Sequence, residues 1–384
     1  MEVYLDNAAT TKPLKKVTEA MMETLETFYG NPSSLHRKGL DVERKLKEVR
    51  KTLGKEIKAR SSEVYFTSGG TEGNNLAILG GLDHLKNKSP RVITLATEHK
   101  SVLNPFKELE TKGFDVCYAA VNSKGRIDLE NFEKLLKKNT ALVSISYINN
   151  ETGAIQPIEK IGRMIRELCP GAKFHVDAVQ AFGKIDIDVK GSNIHLLTAS
   201  AHKIHGPKGV GILYVKEGTL LKPLFWGGAQ ESSIRPGTEN TPGIIGFGVG
   251  VKELSNNKRE AYGSVLRLKE YFVHRLINEV ENIKYLKGEE DESPYILNVS
   301  FLGVKSEVLL HSLESKGIYV SSGSACTSTD KSHSHVLKAI GLKDDEIDSA
   351  IRFSFNRYTT KEELDYTLDQ LITIIKDLRM IMKR

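Results

Sequence analysis

Cysteine is scarce in this chain of 384 residues: there are three, Cys117, Cys169 and Cys326, far apart and without a CxxC pair. Such spacing excludes a disulfide framework and favours a reducing compartment, so we expect a cytoplasmic protein. Apolar runs of about eighteen residues, long enough to span a bilayer, are also absent. The first six residues lack the basic and apolar parts of a signal peptide, so we expect neither secretion nor membrane attachment.

The chain also lacks the common phosphate-binding signatures of nucleotide enzymes and any strong excess of charge. Neither GxxxxGKS/T nor GxGxxG occurs. The net charge is +6, from 55 basic and 49 acidic residues. Lysines alternate with glutamates, as in residues 45–51, which is typical of solvated helix faces. We therefore expect no direct contact with nucleic acid.

Strand and helix patterns alternate from about residue 15 to residue 216, which predicts an α/β fold with a mostly parallel sheet flanked by helices. The predicted strands are residues 63–67, 92–96, 115–119, 141–147, 173–176, 195–199 and 209–215. The connection between the last two is too short for a crossover helix, so we expect them to be antiparallel. Because the chain is longer than one core usually supports, we predict a large domain over residues 15–256.

A smaller α+β domain is predicted from residues 1–14 and 257–384. Its expected strands are residues 3–5, 296–300 and 317–321, and its expected helices lie near residues 254–280, with a break at 256–257, and 307–313. The last helix is expected to begin at a capping box formed by Thr360 and Glu363.

Lys203 and Asp177 form the most informative pair in the sequence. Lys203 follows an apolar run and a small polar turn and precedes Gly-Pro-Lys-Gly, a context unlike that of a surface lysine. Asp177 ends another apolar run, one short crossover upstream. A lysine for a Schiff base and a carboxylate that keeps a pyridine nitrogen protonated are the two groups that pyridoxal phosphate needs most. The pair therefore predicts this cofactor, and the Ser200 hydroxyl suits its phosphate.

A glycine-rich turn at residues 68–74 follows one predicted strand and opens a helix. Backbone N–H groups around Gly70 and the Thr71 hydroxyl are suited to a phosphate. The alternative is a turn that uses glycine for steric reasons alone.

His99 follows another predicted strand, where side chains face the ligand crevice of an open α/β sheet. There it would stack on a flat cofactor and shuttle protons; the alternative is a helix-capping or packed histidine. Asn150 and Gln180 lie where donors to a ring oxygen are needed, although each is equally a turn-forming residue.

Cys326 lies in a small, polar segment, residues 321–331, with no large apolar residue to hold it in a core. A thiol in such a place points to a reactive cysteine, whereas the other two are expected to be structural. A metal site formed with His333 and His335 would lack a fourth ligand, so we predict no metal site.

Arg352 alternates with apolar residues in a predicted strand. A guanidinium binds a carboxylate through two nitrogens, which makes Arg352 a candidate for a substrate carboxylate. The alternative is an interdomain salt bridge. Glycine-punctuated loops at residues 226–231 and 235–240 are expected to be functional or interfacial.

Together these segments resemble the NifS/IscS-type cysteine desulfurases, a family of fold-type-I pyridoxal phosphate enzymes. The resemblance runs nearly from end to end. Its motifs lie at residues 4–11, 30–36, 67–72, 97–99, 149–153, 176–180, 202–203, 235–240 and 321–326. The Ser-Ser-Gly-Ser-Ala-Cys loop resembles that of the long-loop subgroup, which serves iron–sulfur cluster assembly and tRNA thiolation.

The resemblance implies the fold-type-I transferase fold and a role for each site residue. Lys203 would form the Schiff base, Asp177 would pair with the pyridine nitrogen, and His99 would stack on the ring. Asn150 and Gln180 would contact the phenolate oxygen of the cofactor. Its phosphate would be bound by Gly70, Thr71, Ser200 and His202, together with Thr238 of a neighbouring subunit. Arg352 and Asn31 would bind the substrate carboxylate, and Cys326 would accept the sulfur.

The implied reaction converts L-cysteine to L-alanine and leaves a persulfide on Cys326. The implied partners are a second copy of the chain and an iron–sulfur scaffold or sulfur-relay protein, with Cys326 able to contact a nascent cluster. Selenocysteine lyase, an aminotransferase and a non-enzymatic sulfur-relay protein are the alternatives. Ala229, residues 232–233 and residues 329–335 depart from the family pattern, which affects loop and partner contacts rather than the chemistry.

Overall fold

The computed structural model describes residues 1–85, 90–286, 292–322 and 333–382. Its strands are β1 (Val3–Tyr4), β2 (Val64–Thr67), β3 (Arg91–Leu95), β4 (Asp115–Ala119), β5 (Thr140–Ser146), β6 (Lys173–Asp177), β7 (Leu196–Ser200), β8 (Gly211–Val215), β9 (Ile283–Tyr285), β10 (Ile296–Phe301), β11 (Ile318–Tyr319), β12 (Ser321–Ser322) and β13 (Ala350–Ser354). Its helices are α1 (Lys15–Thr27), α2 (Arg37–Glu56), α3 (Gly70–Asn75), α4 (Lys100–Thr111), α5 (Leu129–Leu135), α6 (Ile158–Leu168), α7 (Thr241–Ser255), α8 (Lys258–Glu279), α9 (Ser306–Glu314), α10 (His335–Ala339), α11 (Asp344–Asp348) and α12 (Lys361–Met382).

Seven strands form one sheet in the order β2-β8-β7-β6-β5-β3-β4. Only β8 runs against its neighbours, pairing antiparallel with both β2 and β7. The predicted antiparallel pair is therefore confirmed, since no crossover helix joins β7 to β8. The fold is α/β, with a mostly parallel seven-stranded sheet flanked by helices.

Both faces of this sheet are covered, which explains its continuous apolar strands. Every residue of β7 and β8 is buried. Helix α6 turns Ile158, Ile161 and Ile165 inward, a spacing that suits one helix face. Its Gly162 packs so closely that a Cβ would lie 1.9 Å from the carbonyl oxygen of Ser192, so this position requires glycine.

A second, four-stranded antiparallel sheet has the order β12-β13-β10-β9, and β1 pairs with β11 in parallel. The predicted capping box is present: the Thr360 N–H donates to Glu363 Oε2 at 2.8 Å, and the Glu363 N–H donates to Thr360 Oγ1 at 3.2 Å. The predicted helix break lies between α7 and α8, where Asn257 has a φ of 61°. The division into two domains near this break stays a prediction.

The N-terminal segment connects the two sheets. Ser354 at the end of β13 donates its N–H to the Leu5 carbonyl at 2.7 Å, and the Thr11 N–H donates to the His202 carbonyl at 2.9 Å. This segment therefore crosses the carboxyl ends of β5, β6 and β7, which meet at one edge of the large sheet. Open α/β sheets bind ligands at such an edge. In the described part of the chain, no helix combines the length and apolar character needed to cross a bilayer.

Candidate active site

A cleft of about 1310 Å³, open mouth included, lies at this edge. Side chains of both sheets line it. The predicted site residues among them are Gly70, Thr71, His99, Asn150, Asp177, Gln180, Ser200, His202, Lys203 and Arg352. The structure thus brings together ten predicted site residues, although the first, Gly70, and the last, Arg352, are 282 positions apart in the sequence.

Lys203 occupies the short 3-10 turn that follows β7. Its Nζ donates to the carbonyl oxygens of Ala8 and Ala9, each at 2.6 Å. The N-terminal segment therefore fixes the amine at the wall of the cleft.

Asp177 ends β6 and is 7% exposed. Its Oδ1 accepts the N–H of Val179 at 3.0 Å, and its Oδ2 accepts Asn74 Nδ2 at 2.7 Å. Asn74, which is fully buried in α3, also donates to Ser101 Oγ at 2.9 Å. Sequence reasoning missed Asn74 because only the fold shows that it reaches Asp177.

His99 caps a helix, as the alternative expected, and it also lines the cleft, whereas its stacking on a cofactor stays a prediction. It caps α4 through Nδ1, which accepts the Ser101 N–H at 3.1 Å and lies 2.8 Å from Ser101 Oγ. The rest of its ring lines the cleft. Desolvation lowers the pKa of His99, with lesser effects from Asp177, which raises it, and from Lys203, which lowers it. The imidazole is therefore favoured in its neutral form.

The turn before α3 packs closely against neighbouring residues of the protein. Gly69 has a φ of 151°, which favours glycine, and a Cβ on Gly70 would meet Val179 Cγ2 at 2.8 Å. Thr71, Ser200 and His202 line an adjoining pocket of about 630 Å³, together with Lys208. Burial and neighbouring lysines lower the pKa of His202 to about 4, so its imidazole is neutral near pH 7. Sequence reasoning did not single out Lys208.

Gln180 is 5% exposed and held at both ends of its amide. Its Nε2 donates to the Ala8 carbonyl at 2.9 Å, and its Oε1 accepts Lys184 Nζ at 3.2 Å. Burial, with a smaller effect from the charge of Lys203, lowers the pKa of Lys184 to about 7. Gln180 therefore shares the Ala8 carbonyl with Lys203.

Arg352 reaches the cleft from β13. Its Nη2 donates to Asp6 Oδ1 at 2.8 Å, and its Nη1 donates to the Asn150 carbonyl at 3.0 Å. Arg352 thus forms a salt bridge, but with Asp6 of the same predicted small domain, so this contact is not the interdomain salt bridge given as the alternative. Nε of Arg352 is buried and has no hydrogen-bond partner among the described residues, which leaves a donor for a ligand. Asp6 was not foreseen.

Glu98 is a further buried carboxyl group, also missed by sequence reasoning. Its Oε1 accepts the Ser146 N–H at 2.8 Å, whereas its Oε2 has no partner among the described residues. Burial raises the pKa of Glu98 to about 8. The group is therefore mostly protonated at pH 7.

Three predicted site residues are not placed in the cleft. Asn31 is exposed and accepts the Ser33 N–H at 2.9 Å, within its own turn. Thr238 is exposed as well. Cys326 lies outside the described residues, but the preceding strand is placed: Ser321 lines the cleft and pairs with Arg352. The roles of all three stay predictions.

Comparisons with known proteins agree with this arrangement. The chain matches the aminotransferase class-V family over residues 3–367. It is 42% identical over 381 residues to the cysteine desulfurase IscS of Dictyoglomus turgidum, covering 99% of this chain and 96% of that protein. A solved NifS-like protein superposes with a TM-score of 0.93 at 36% identity, covering 98% of this chain and 100% of that one. A structure described as SspA in complex with cysteine gives a TM-score of 0.83 at 35% identity, covering 93% and 100% of the two chains.

The family match spans nearly the whole chain, and the α/β fold is the one that the sequence predicts. The chain therefore belongs to the aminotransferase class-V family, whose members in general depend on pyridoxal phosphate.

Proposed function

We propose that this chain is a pyridoxal-phosphate-dependent cysteine desulfurase, which converts L-cysteine to L-alanine and receives the sulfur on Cys326 as a persulfide. The observation that carries the proposal is one cleft lined by Lys203, Asp177 and Arg352. The names of the relatives at about 40% identity, and the cysteine bound to one structural neighbour, support the choice of substrate.

The donors of the cleft fit the cofactor. Lys203 would hold it covalently, Asp177 would accept a hydrogen bond from its pyridine nitrogen, and His99 would cover one face of its ring. Its phosphate would lie in the close-fitting turn at Gly70, whose N–H groups have no Cβ in the way. Thr71, Ser200 and His202 would supply further donors to this phosphate, and Asn150 and Gln180 would face the phenolate oxygen. When bound, pyridoxal phosphate supplies an electron sink for charge at the substrate α-carbon.

Arg352 would bind the substrate carboxylate. Its Nε has no hydrogen-bond partner among the described residues, and a guanidinium can bind a carboxylate through two nitrogens. Asp6 and the Asn150 carbonyl hold the other two nitrogens, Nη2 and Nη1. Bound there, the substrate would present its α-carbon to the amine of Lys203.

Lys203 would then carry the α-proton on Nζ. A lysine amine must be neutral to accept a proton, and the positive charges of Lys203 and the buried Lys184 repel each other, which contributes to the lowered pKa of Lys184. The carbonyls of Ala8 and Ala9 accept hydrogen bonds from Nζ and so fix the position of the amine.

The sulfur step would use the Cys326 thiolate. Its Sγ attacks the substrate sulfur, a sulfur–sulfur bond forms, and the carbon–sulfur bond breaks. The electron pair of that bond stays with the carbon, which takes up a proton and leaves as alanine. Substrate sulfur is oxidised and the carbon is reduced, so L-cysteine and one thiol give L-alanine and one persulfide without an external oxidant.

Two facts favour Cys326 over the other cysteines. Cys326 is four positions after Ser322, and an extended chain covers at most about 13–14 Å over four positions, a distance that reaches the cleft lined by Ser321. Burial raises the pKa of Cys117 and raises that of Cys169 to about 11, so neither is an acidic thiol.

Mass spectrometry after brief incubation of the holoenzyme with L-cysteine tests this proposal. One added sulfur is expected on the peptide that contains Cys326, with formation of alanine. Cys326→Ser should lose this sulfur and keep the visible absorbance of the cofactor, whereas Cys117→Ser is the matched control and should keep both. Sulfur on another cysteine, or pyruvate in place of alanine, would contradict the proposal.

The chain is further proposed to act as a homodimer, with Thr238 reaching the phosphate of the neighbouring subunit. The exposed Phe225 and Trp226, 60% and 87% accessible, precede this loop and offer an apolar contact surface. Light scattering is expected to give a dimer, and Trp226→Glu should produce monomers with weaker cofactor binding. A wild-type monomer that binds the cofactor fully would contradict it.

Sulfur would leave the persulfide for an iron–sulfur scaffold or sulfur-relay protein of the cytoplasm. Transfer of radioactive sulfur from the persulfide to each purified candidate acceptor measures this step. Failure with every candidate, while alanine still forms with a small thiol, would contradict the proposed acceptors but not the desulfurase.

A further inference from the structure

A buried chain of hydrogen bonds connects Asp177 with His99. It runs from Asp177 Oδ2 to Asn74 Nδ2 (2.7 Å), from the same Nδ2 to Ser101 Oγ (2.9 Å), and from that Oγ to His99 Nδ1 (2.8 Å). Asn74 is fully buried and Ser101 is 8% exposed. The chain thus connects the two side chains proposed to hold the cofactor ring at its nitrogen and at its face.

The chemistry of the groups fixes the direction of each bond. The Asp177 carboxylate accepts, so the Asn74 group facing it must be the NH₂, since the amide oxygen would be repelled. Its second hydrogen goes to Ser101 Oγ. The Ser101 hydroxyl then donates its own hydrogen, and the acceptor within reach is His99 Nδ1.

The backbone gives an independent reason for the same assignment. The N–H of Ser101 points at His99 Nδ1 at 3.1 Å, and a backbone N–H can only donate. Two donors therefore face Nδ1, which must carry a lone pair. A neutral imidazole with a lone pair on Nδ1 has its proton on Nε2.

The orientation of Asn74 leaves its amide oxygen without a hydrogen-bond partner among the described residues. Its Oδ1 is buried and has no partner among the described residues, which is unfavourable for stability. Such a residue is more easily explained by the two bonds that its Nδ2 makes at the site than by packing.

We propose that Asn74 and Ser101 are positioning residues that fix His99 as a neutral imidazole protonated on Nε2, so that His99 acts as a hydrogen-bond donor rather than as a proton carrier. Uptake of a second proton would have to occur on Nδ1, which both donors of Ser101 block. Any effect of these residues on turnover rests on the proposed desulfurase function. The assignment of the His99 tautomer does not depend on that function.

Charged and titratable groups around His99 come from several elements. Asp177 on β6 favours a proton on the ring, whereas Lys203, Lys100 and His335 disfavour it. Glu98 precedes His99, and its carbonyl contacts His335 Nε2 at 2.9 Å. Burial has the largest effect on the pKa of His99 and lowers it, so the neutral form is preferred.

Nitrogen-15 NMR of the histidine-labelled holoenzyme tests the tautomer directly, with His99→Gln identifying the His99 signals. We expect an unprotonated Nδ1 and a protonated Nε2 from pH 6 to pH 9. Ser101→Ala removes one of the two donors, so the protonated fraction of His99 at a given acidic pH should rise about tenfold, or one pKa unit. Ser101→Thr should restore the wild-type signals.

Ser144→Ala is the matched control, because Ser144 Oγ lies at the same 2.8 Å from Nδ1 of the buried His175, outside the cleft. It should leave the His99 signals unchanged. Asn74→Ala should shift them in the same direction as Ser101→Ala. If Asn74→Ala fails to fold, the Ser101 series still decides.

Two results would overturn the inference: a wild-type His99 with Nδ1 protonated, or one that becomes imidazolium near pH 7. Either result is compatible with formation of a persulfide on Cys326. The tautomer assignment can therefore be wrong while the proposed desulfurase function is right. In turnover, Ser101→Ala should change the acid limb of the pH profile, an effect that a purely structural role would not produce.

Discussion

Asp177 and Arg352 face one cleft from different sheets, and their hydrogen bonds differ in kind. Both oxygens of Asp177 are engaged, by the Val179 N–H and by Asn74. Arg352 is held by Asp6 and a carbonyl, yet its Nε has no partner among the described residues. Asp177 is thus held by the protein through both of its oxygens, whereas the guanidinium of Arg352 keeps one donor without a partner among the described residues.

This difference suits a site that keeps one molecule and exchanges another. A cofactor held through many turnovers needs partners that do not move, and hydrogen bonds to both oxygens of Asp177 hold this carboxylate in place. A substrate that arrives and leaves needs a group with spare donors. Variants on the two sides should therefore separate cofactor binding from substrate binding.

The largest effect is expected from Lys203→Ala on the large-sheet side. It removes the amine that would bind the cofactor and carry the α-proton, so turnover should fall on the order of 10³-fold or more, together with the visible absorbance. Steady-state assays and absorption spectra measure both. Lys190→Ala, an exposed lysine outside the cleft, is the control. A variant that keeps its absorbance would refute the role of Lys203.

Arg352→Gln tests the other side. Truncating one partner of a buried charged contact costs roughly 2–5 kcal/mol, so the KM for L-cysteine should rise about a hundredfold. The cofactor absorbance should be preserved, because Arg352 belongs to the substrate side. Michaelis analysis with a cofactor titration measures the split. Loss of cofactor affinity with an unchanged KM would remove the distinction between the two sides.

The sequence predicts the large-sheet side better than the small-sheet side, for a physical reason. Asp177, His99 and the Gly70 turn each follow an apolar strand, and strand ends of a parallel sheet meet at one edge. Local pattern therefore suffices to gather them. The predicted strands agree with the observed ones within about two residues.

Partners far apart in the chain could not be predicted in this way. Asp6 and Arg352 are 346 residues apart, and Asn74 and Asp177 are 103 apart, so no local pattern connects them. The helix expected after the glycine-rich turn continues as a π-helical turn over Leu76–Gly80, which helical periodicity does not reveal. The departures at residues 232–233 take left-handed conformations, with φ of 55° and 63°.

Glu98→Gln tests whether the large-sheet side depends on a neutral acid. Burial raises the pKa of Glu98 from an ordinary 4.5 to about 8. Between pH 4.5 and about pH 8, Glu98 has lost its proton in the unfolded chain but keeps it in the folded chain. The stability of the wild type therefore falls as pH rises through this range. Glutamine carries no such proton. From pH 5 to pH 8, the free energy of unfolding of the wild type should therefore fall by about 3 kcal/mol relative to that of Glu98→Gln.

Chemical unfolding at several pH values measures this shift. Glu167→Gln, at an exposed site on a helix, should follow the wild-type curve. Parallel curves for wild type and Glu98→Gln would show that Glu98 is ionised in the folded protein, and the neutral-acid interpretation would then be wrong.

The smallest effect is expected from Asp6, and it separates orientation from charge on the small-sheet side. Asp6→Asn keeps an oxygen that can accept from Arg352 Nη2 but removes a negative charge close to the bound carboxylate. Repulsion between two such charges about 5–6 Å apart is worth roughly 1–3 kcal/mol at an intermediate dielectric, so the KM for L-cysteine should fall several-fold. Asp6→Ala removes the acceptor as well, leaves Nη2 without its partner, and should raise the KM instead. The same steady-state assay measures the KM of both variants. If the KM rises in both, the charge of Asp6 serves mainly to hold Arg352, and its repulsion of the substrate carboxylate is unimportant.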